Sequence, residues 1–310
     1  MAKYIDVHAH LESARFKDDI DLVVKRAAAE DVLIVQSGTN NLTNRESLEI
    51  SKKYGTLCSF GIYPIDGIAA EFDGLSDDST RESPKFGLDS ELEWIFEHKD
   101  DCVLIGEVGL DFKVVECSNE MKEAQIKNFE KIIEFAKEIG KPILIHSRGA
   151  ELECIELLEK YGLGRGSGSG EKDSGEKDSG EKDLEAPKGV PPAQMASQNF
   201  KSERRDKVGI IMHCFSGKKA LIRRCAENGW FMSVPPVITR LQHFETLVGL
   251  VPLNQLLTET DSPYLSCVAG KRNEPVNVKV SVKEIARIKE LSEDEVKTQI
   301  YENAKKLLKI

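Results

Sequence analysis

Residues 4–11 read YIDVHAHL, and Asp6, His8 and His10 fall at alternate positions of an otherwise apolar run. An extended chain places alternate residues on one face, so an aspartate and two histidines share one side of a strand. One buried histidine with a hydrogen-bond partner is ordinary in a core. Two of them beside a carboxylate point to ligation of a divalent metal, for which neutral imidazole and carboxylate are usual donors. Other apolar runs end in groups of the same kind. Glu107 lies in G-E-V-G-L-D (106–111), and His146, Ser147 and Arg148 close I-L-I-H-S-R (143–148). His213 stands in I-M-H-C-F-S-G (211–217), and Glu259 and Asp261 in T-E-T-D-S-P-Y-L (258–265). Four of the six histidines stand at such ends. His98 and His243 fall in helical stretches and read as surface residues. Four His, a Glu and an Asp are ligands enough for two divalent ions, the usual device for hydrolysing phosphate esters or amides.

Those groups can meet only if the ends of the runs converge. Strand-like runs are predicted at 4–8, 32–37, 57–62, 103–108, 142–146, 209–213, 230–234 and 256–260. Amphipathic helical patterns lie between them, for example 119–139 and 149–161, which stop at Gly140 and Gly162. Short apolar strands, each followed by a helix, predict an α/β fold with a parallel sheet closed into a (β/α)8 TIM barrel. In that barrel every strand opens its C-terminal end on one mouth, where active sites lie. An open doubly wound sheet is the second arrangement, but the Gly-rich turn after its first strand is missing. A last helix is predicted at 293–309, opened by the capping-box pattern Ser292-Glu293-Asp294-Glu295. Residues 1–310 thus read as a single barrel domain, with a low-complexity insertion at 164–206. Its core is SGEKD in tandem at 169–173, 174–178 and 179–183. Polar, Gly/Ser-rich and without apolar periodicity, it reads as a disordered, solvated, non-catalytic loop. Falling between a helix and the next strand, it belongs to the barrel face away from the mouth.

Composition limits the function. Of 310 residues, 40% are hydrophobic and 31% charged, which suits a globular protein with a substantial core. A formal net charge of −10 argues against a broad phosphate-gripping surface for duplex nucleic acid. It leaves room for a small anionic substrate at a metal site, where bound cations supply the local positive charge. No apolar run has the length of a membrane span, and no basic and apolar leader separates Met1 from the first strand. The seven cysteines include no C-x-x-C pair and read as reduced thiols, most of them small core hydrophobes. A cytoplasmic protein without a membrane partner is the expectation.

In their order, D-x-H-x-H at 6–10, G-E-V-G-L-D at 106–111, H-x-R at 146–148, H-C-F-S-G at 213–217 and E-T-D-S-P-Y at 259–264 resemble the TatD family of metal-dependent deoxyribonucleases. The wider group is the amidohydrolase-like barrels. The likeness runs over nearly the whole chain apart from the insertion. It implies a division of ligands: His8, His10 and Asp261 on one divalent ion (Mg, Mn or Zn), His146 and His213 on a second, and Glu107 between them. It further implies that a metal-activated water attacks phosphorus, with Asp261 taking its proton. A nuclease removing nucleotides from the 3′ end of single-stranded DNA follows from the same likeness. Arg148 is a candidate for a planar contact with phosphate, against an ion pair facing a helix. One position departs: the family has G-x-H-P after the third strand, whereas this chain reads G-I-Y-P at 61–64. Tyr63 therefore stands where a substrate-contacting histidine is expected, with simple packing beside Pro64 as the other reading. The same ligands would serve an amidohydrolase acting on a small cyclic amide or ester. A barrel that has lost catalysis and serves as a scaffold is the third possibility, disfavoured by the intact ligand set.

Overall fold

The computed structural model describes residues 2–72, 74–76, 83–113, 116–164 and 208–310. Apart from Gly164, the predicted insertion at 164–206 lies outside the described residues, SGEKD repeats included. Strands and helices alternate: β1 (Tyr4–Ala9), α1 (Ile20–Ala29), β2 (Val32–Ser37), α2 (Asn41–Tyr54), β3 (Leu57–Ile62), α3 (Leu88–Glu97), β4 (Leu104–Gly109), α4 (Asn119–Ile139) and β5 (Ile143–His146). There follow α5 (Glu151–Lys160), β6 (Ile210–Met212), α6 (Lys219–Glu227), β7 (Phe231–Val234), α7 (Gln242–Leu250), β8 (Leu256–Thr258), α8 (Val278–Lys289) and α9 (Glu293–Leu308).

The strands are short and apolar because both faces of the sheet are covered, one by helices and one by the barrel interior. All neighbours are parallel, in the order β1 to β8. Closure comes from the chain just after β8. Ala9 bridges Ser262 in parallel, the Asp261 N–H donates to His8 O at 2.9 Å, and the His10 N–H donates to Ser262 O at 2.8 Å. The expected barrel is present.

Local chemistry sets the helix ends. Ser118 Oγ accepts the Met121 N–H at the start of α4, and Gly140 ends that helix at φ +68°, where a side chain would be strained. The expected capping box of Ser292 and Glu295 opens α9. Strand bounds are narrower than the apolar runs: β8 stops at Thr258, since Thr260 turns inward to bond Asp6. The seven cysteines are free, with Cys58, Cys102, Cys154 and Cys225 buried. His98 and His243 are half-buried rather than surface groups: His98 stacks on Trp94 at 4.1 Å, and His243 Nε2 lies 2.9 Å from Phe215 O. Among the described residues no helix is long and apolar enough to cross a membrane.

Candidate metal centre

The strand ends bring the predicted ligands together. His8 lies in β1 and His10 just beyond it, Glu107 in β4, His146 at the end of β5, His213 directly after β6 and Asp261 after β8. Glu107 is central. Its Oε2 lies 3.4 Å from His8 Nε2 and 3.8 Å from His10 Nε2. Its Oε1 lies 2.5 Å from His146 Nδ1 and 3.7 Å from His213 Nε2. Asp261 Oδ1 is 3.5 Å from His8 Nε2 and 3.4 Å from His10 Nε2. Two overlapping groups, His8–Glu107–His213 and His8–His10–Asp261, each gather their donor atoms within 4.8 Å. A third joins Cys214 to His213 and Asp261.

His8 shows what this donor set fits. It is fully buried, and neither ring nitrogen has a hydrogen-bond partner among the described residues. Leaving a buried polar group unpaired is costly. A divalent cation held by Nε2 would satisfy that nitrogen. His/carboxylate sets of this kind suit zinc-like ions and manganese.

Further carboxylates orient the rings. Glu12 Oε1 lies 3.2 Å from His10 Nδ1, and Glu259 Oε2 lies 2.6 Å from His213 Nδ1. Each leaves its histidine's Nε2 directed at the cluster, the usual second layer of a metal site. Glu12 is itself held by Gln36, whose Oε1 accepts the Leu11 N–H at 2.8 Å. Glu259 also accepts the Cys214 N–H at 3.0 Å, which fixes Cys214 at a left-handed φ of +41°. From sequence Glu259 is visible only as a carboxylate near a strand end and Asp111 only as the end of a motif. Glu12 carries one faint signal, its place two residues beyond His10.

His146 differs from the other three. Its Nδ1 meets Glu107 and its Nε2 lies 2.7 Å from Asp111 Oδ2, and it joins none of the three donor groups. Asp111 is buried and also accepts from Tyr63 Oη at 2.8 Å and Arg148 Nε at 2.7 Å. Arg148 Nη2 donates to Tyr63 Oη at 3.0 Å, and the Tyr63 ring stands edge-on to His146 at 5.0 Å. The two candidate substrate groups are thus tied to each other. Among the described residues, Arg148 pairs with the carboxylate of Asp111 at the mouth. Asp6 is brought to a different task. Two residues back along β1, about 7 Å deeper, it accepts from the Thr260 and His8 N–H groups and meets no ligand atom.

Charge states follow from this packing. Burial and the neighbouring His10 work against the His8 imidazolium, but the carboxylates of Asp261 and Glu107 outweigh both and raise it from 6.5 to about 9. Burial likewise opposes charge on Glu107, yet His146 and His8 hold its carboxyl well below the usual range. Asp261 is depressed too: burial opposes it, and His10 and His8 prevail. In Asp6 burial dominates and pushes the carboxyl well up.

A stability prediction follows for protein stripped of metal. A raised histidine stabilises the fold fully below its unfolded value of 6.5, and that contribution is lost as pH rises through about 9. A bound cation replaces the proton and removes the dependence. The melting temperature of chelator-treated protein should therefore fall across that window, while the metal-loaded protein holds steady. Parallel profiles for the two forms would contradict it.

The mouth opens into a cavity of about 990 Å³ that reaches from Glu107 and Asp261 past Arg148 and Tyr63 to Arg15 and Tyr264. A model of the family described as TatD related DNase matches residues 5–309. An uncharacterized metal-dependent hydrolase from Methanocaldococcus jannaschii is 31% identical over 99% of this chain and 97% of its own. The human deoxyribonuclease TATDN3 is 28% identical over 98% of this chain and 93% of its own. A protein from Erwinia amylovora named 3′-5′ ssDNA/RNA exonuclease TatD is 24% identical over 97% and 98%.

Proposed function

The chain belongs to the TatD-related DNase family of metal-dependent hydrolases, and from that premise we propose that its barrel mouth cleaves DNA phosphodiester bonds, releasing nucleotides from the 3′ end of a single strand. The observation that carries the reading is the Glu107-centred cluster, with a buried His8 whose ring nitrogens have no hydrogen-bond partner among the described residues. His8, His10 and Asp261 would hold one divalent ion, and Glu107 with His213 a second. His146 would join the second by giving up its contact with Glu107. The ions, when bound, supply Lewis-acid stabilisation of charge at phosphorus and lower the pKa of water. Asp261 accepts the proton of the attacking water, since it faces the same space. Arg148, its plane set by Asp111 and Tyr63, presents a guanidinium to phosphate. The name of the Erwinia relative supports the polarity and the single strand.

The test is purified protein on end-labelled single-stranded DNA, with Mg, Mn and Zn titrated and a panel of cyclic amides and esters alongside. Stepwise shortening from the 3′ end, abolished by chelator, is expected. Untouched DNA together with turnover of an amide or ester would replace the nuclease reading with the amidohydrolase one.

Tyr63 tests the departure from the family pattern. Tyr63→Phe removes a hydroxyl that bonds both Asp111 and Arg148. The expected loss is about 1 kcal/mol, roughly five- to tenfold in kcat/KM, with metal content unchanged. Tyr63→His, able to carry charge in mild acid, is expected to raise cleavage, most below about pH 6.5. If both variants cleave at the parent rate between about pH 5.5 and 8, Tyr63 only packs.

A further inference from the structure

At the β1 side of the mouth an aromatic ring and a cation stand beside the cluster, unused by the chemistry above. Tyr264 is 37% exposed, although its backbone N–H is fixed to Asp261 O at 2.8 Å. Its ring stands edge-on to His10, with centroids 6.5 Å apart, and the Arg15 guanidinium lies over it at 5.3 Å. Both residues line the same cavity as Glu107 and Asp261.

This pair is held in place from behind. Arg15 sits in a short helical turn, Ala14–Phe16, whose carbonyl at Arg15 accepts from Arg272 Nη1 at 2.6 Å. Arg272 in turn grips Asp19 with both terminal nitrogens, at 2.7 and 2.6 Å. Charge on the walls is unequal. Arg15 and Lys17 line this side, while Glu46 and Glu49 line the cavity from α2.

A partly exposed tyrosine ring paired with an arginine guanidinium is the kind of surface on which an unpaired nucleobase stacks, in a sequence-tolerant way. Resting on the nuclease reading, we propose that Tyr264 and Arg15 form a stacking platform for the terminal unpaired nucleobase of the strand being cut. A base seated there lies beside the cluster, since the Tyr264 ring is 6.5 Å from that of His10 and lines the same cavity as Glu107 and Asp261. A base kept in a duplex stack cannot reach the ring, so the platform makes single strands the better substrate.

The experiment compares two single-stranded oligonucleotides, one ending in an ordinary nucleotide and one whose terminal nucleotide is abasic. The parent enzyme is expected to show a KM about tenfold higher for the abasic end. Tyr264→Leu should raise KM for the ordinary end to the abasic value and abolish the difference, while Tyr264→Trp should keep it. Should Tyr264→Leu fail to fold, the parent and Tyr264→Trp comparison still decides. Equal KM values for both substrates in the parent would overturn the platform and leave the nuclease reading standing. Failure to cut either substrate with any metal would overturn both.

Discussion

Asp261→Asn is expected to lower turnover on single-stranded DNA by about 10³-fold or more, the scale of losing a principal catalytic group. The swap keeps shape and volume. It also keeps the backbone, since Asp261 sits at φ +51° and asparagine is among the few residues that adopt that conformation readily. What it removes is charge: the carboxylate that lies 3.4 and 3.5 Å from His10 and His8 and that would take the proton of water. Thermal stability of the loaded protein should change little, because the mouth is not the packed interior. Near-normal turnover of Asp261→Asn would mean that water is activated by another group.

Glu107→Gln should be as damaging, by a different route. Glu107 lies within 4 Å of all four cluster histidines. A neutral amide there removes the negative charge that both donor groups lean on and aims an N–H donor at imidazoles. Metal affinity is expected to fall by more than the roughly 10–100-fold typical of orienting residues, and activity by about 10³-fold. The variant should also lose stability in stripped protein at low pH, where protonated histidines would face each other uncompensated. Metal content by elemental analysis and a melting curve near about pH 6 read both effects. Full metal occupancy with full activity would remove Glu107 from its central place.

Much of this site was legible because its residues violate the pattern of their elements. A histidine or carboxylate closing an apolar run such as I-L-I-H or G-E-V-G-L-D is conspicuous, and a parallel barrel sends all such ends to one mouth. What periodicity lacks is depth. It put Asp6 on the same strand side as His8 and His10, but Asp6 lies lower and fastens β1 to the chain returning at Thr260. Pairing across the mouth was equally hidden. Nothing local in S-R or I-Y-P shows that Arg148 and Tyr63 share the carboxylate of Asp111, 37 and 48 residues away in sequence. The layer of Glu12 and Glu259 behind His10 and His213 depends on the same long-range closure. His98 and His243 carried no sign of the Trp94 ring and the Phe215 carbonyl that half-bury them.

The account stands or falls on divalent cations at this cluster. Anomalous diffraction from crystals grown with manganese would locate them without reference to any substrate. The prediction is two peaks, roughly 3.5–4 Å apart, one against His8, His10 and Asp261 and one against Glu107 and His213, with His146 turned toward the second. Crystals at saturating manganese with no peak at the mouth, and with the six side chains bonded only to one another, would contradict it.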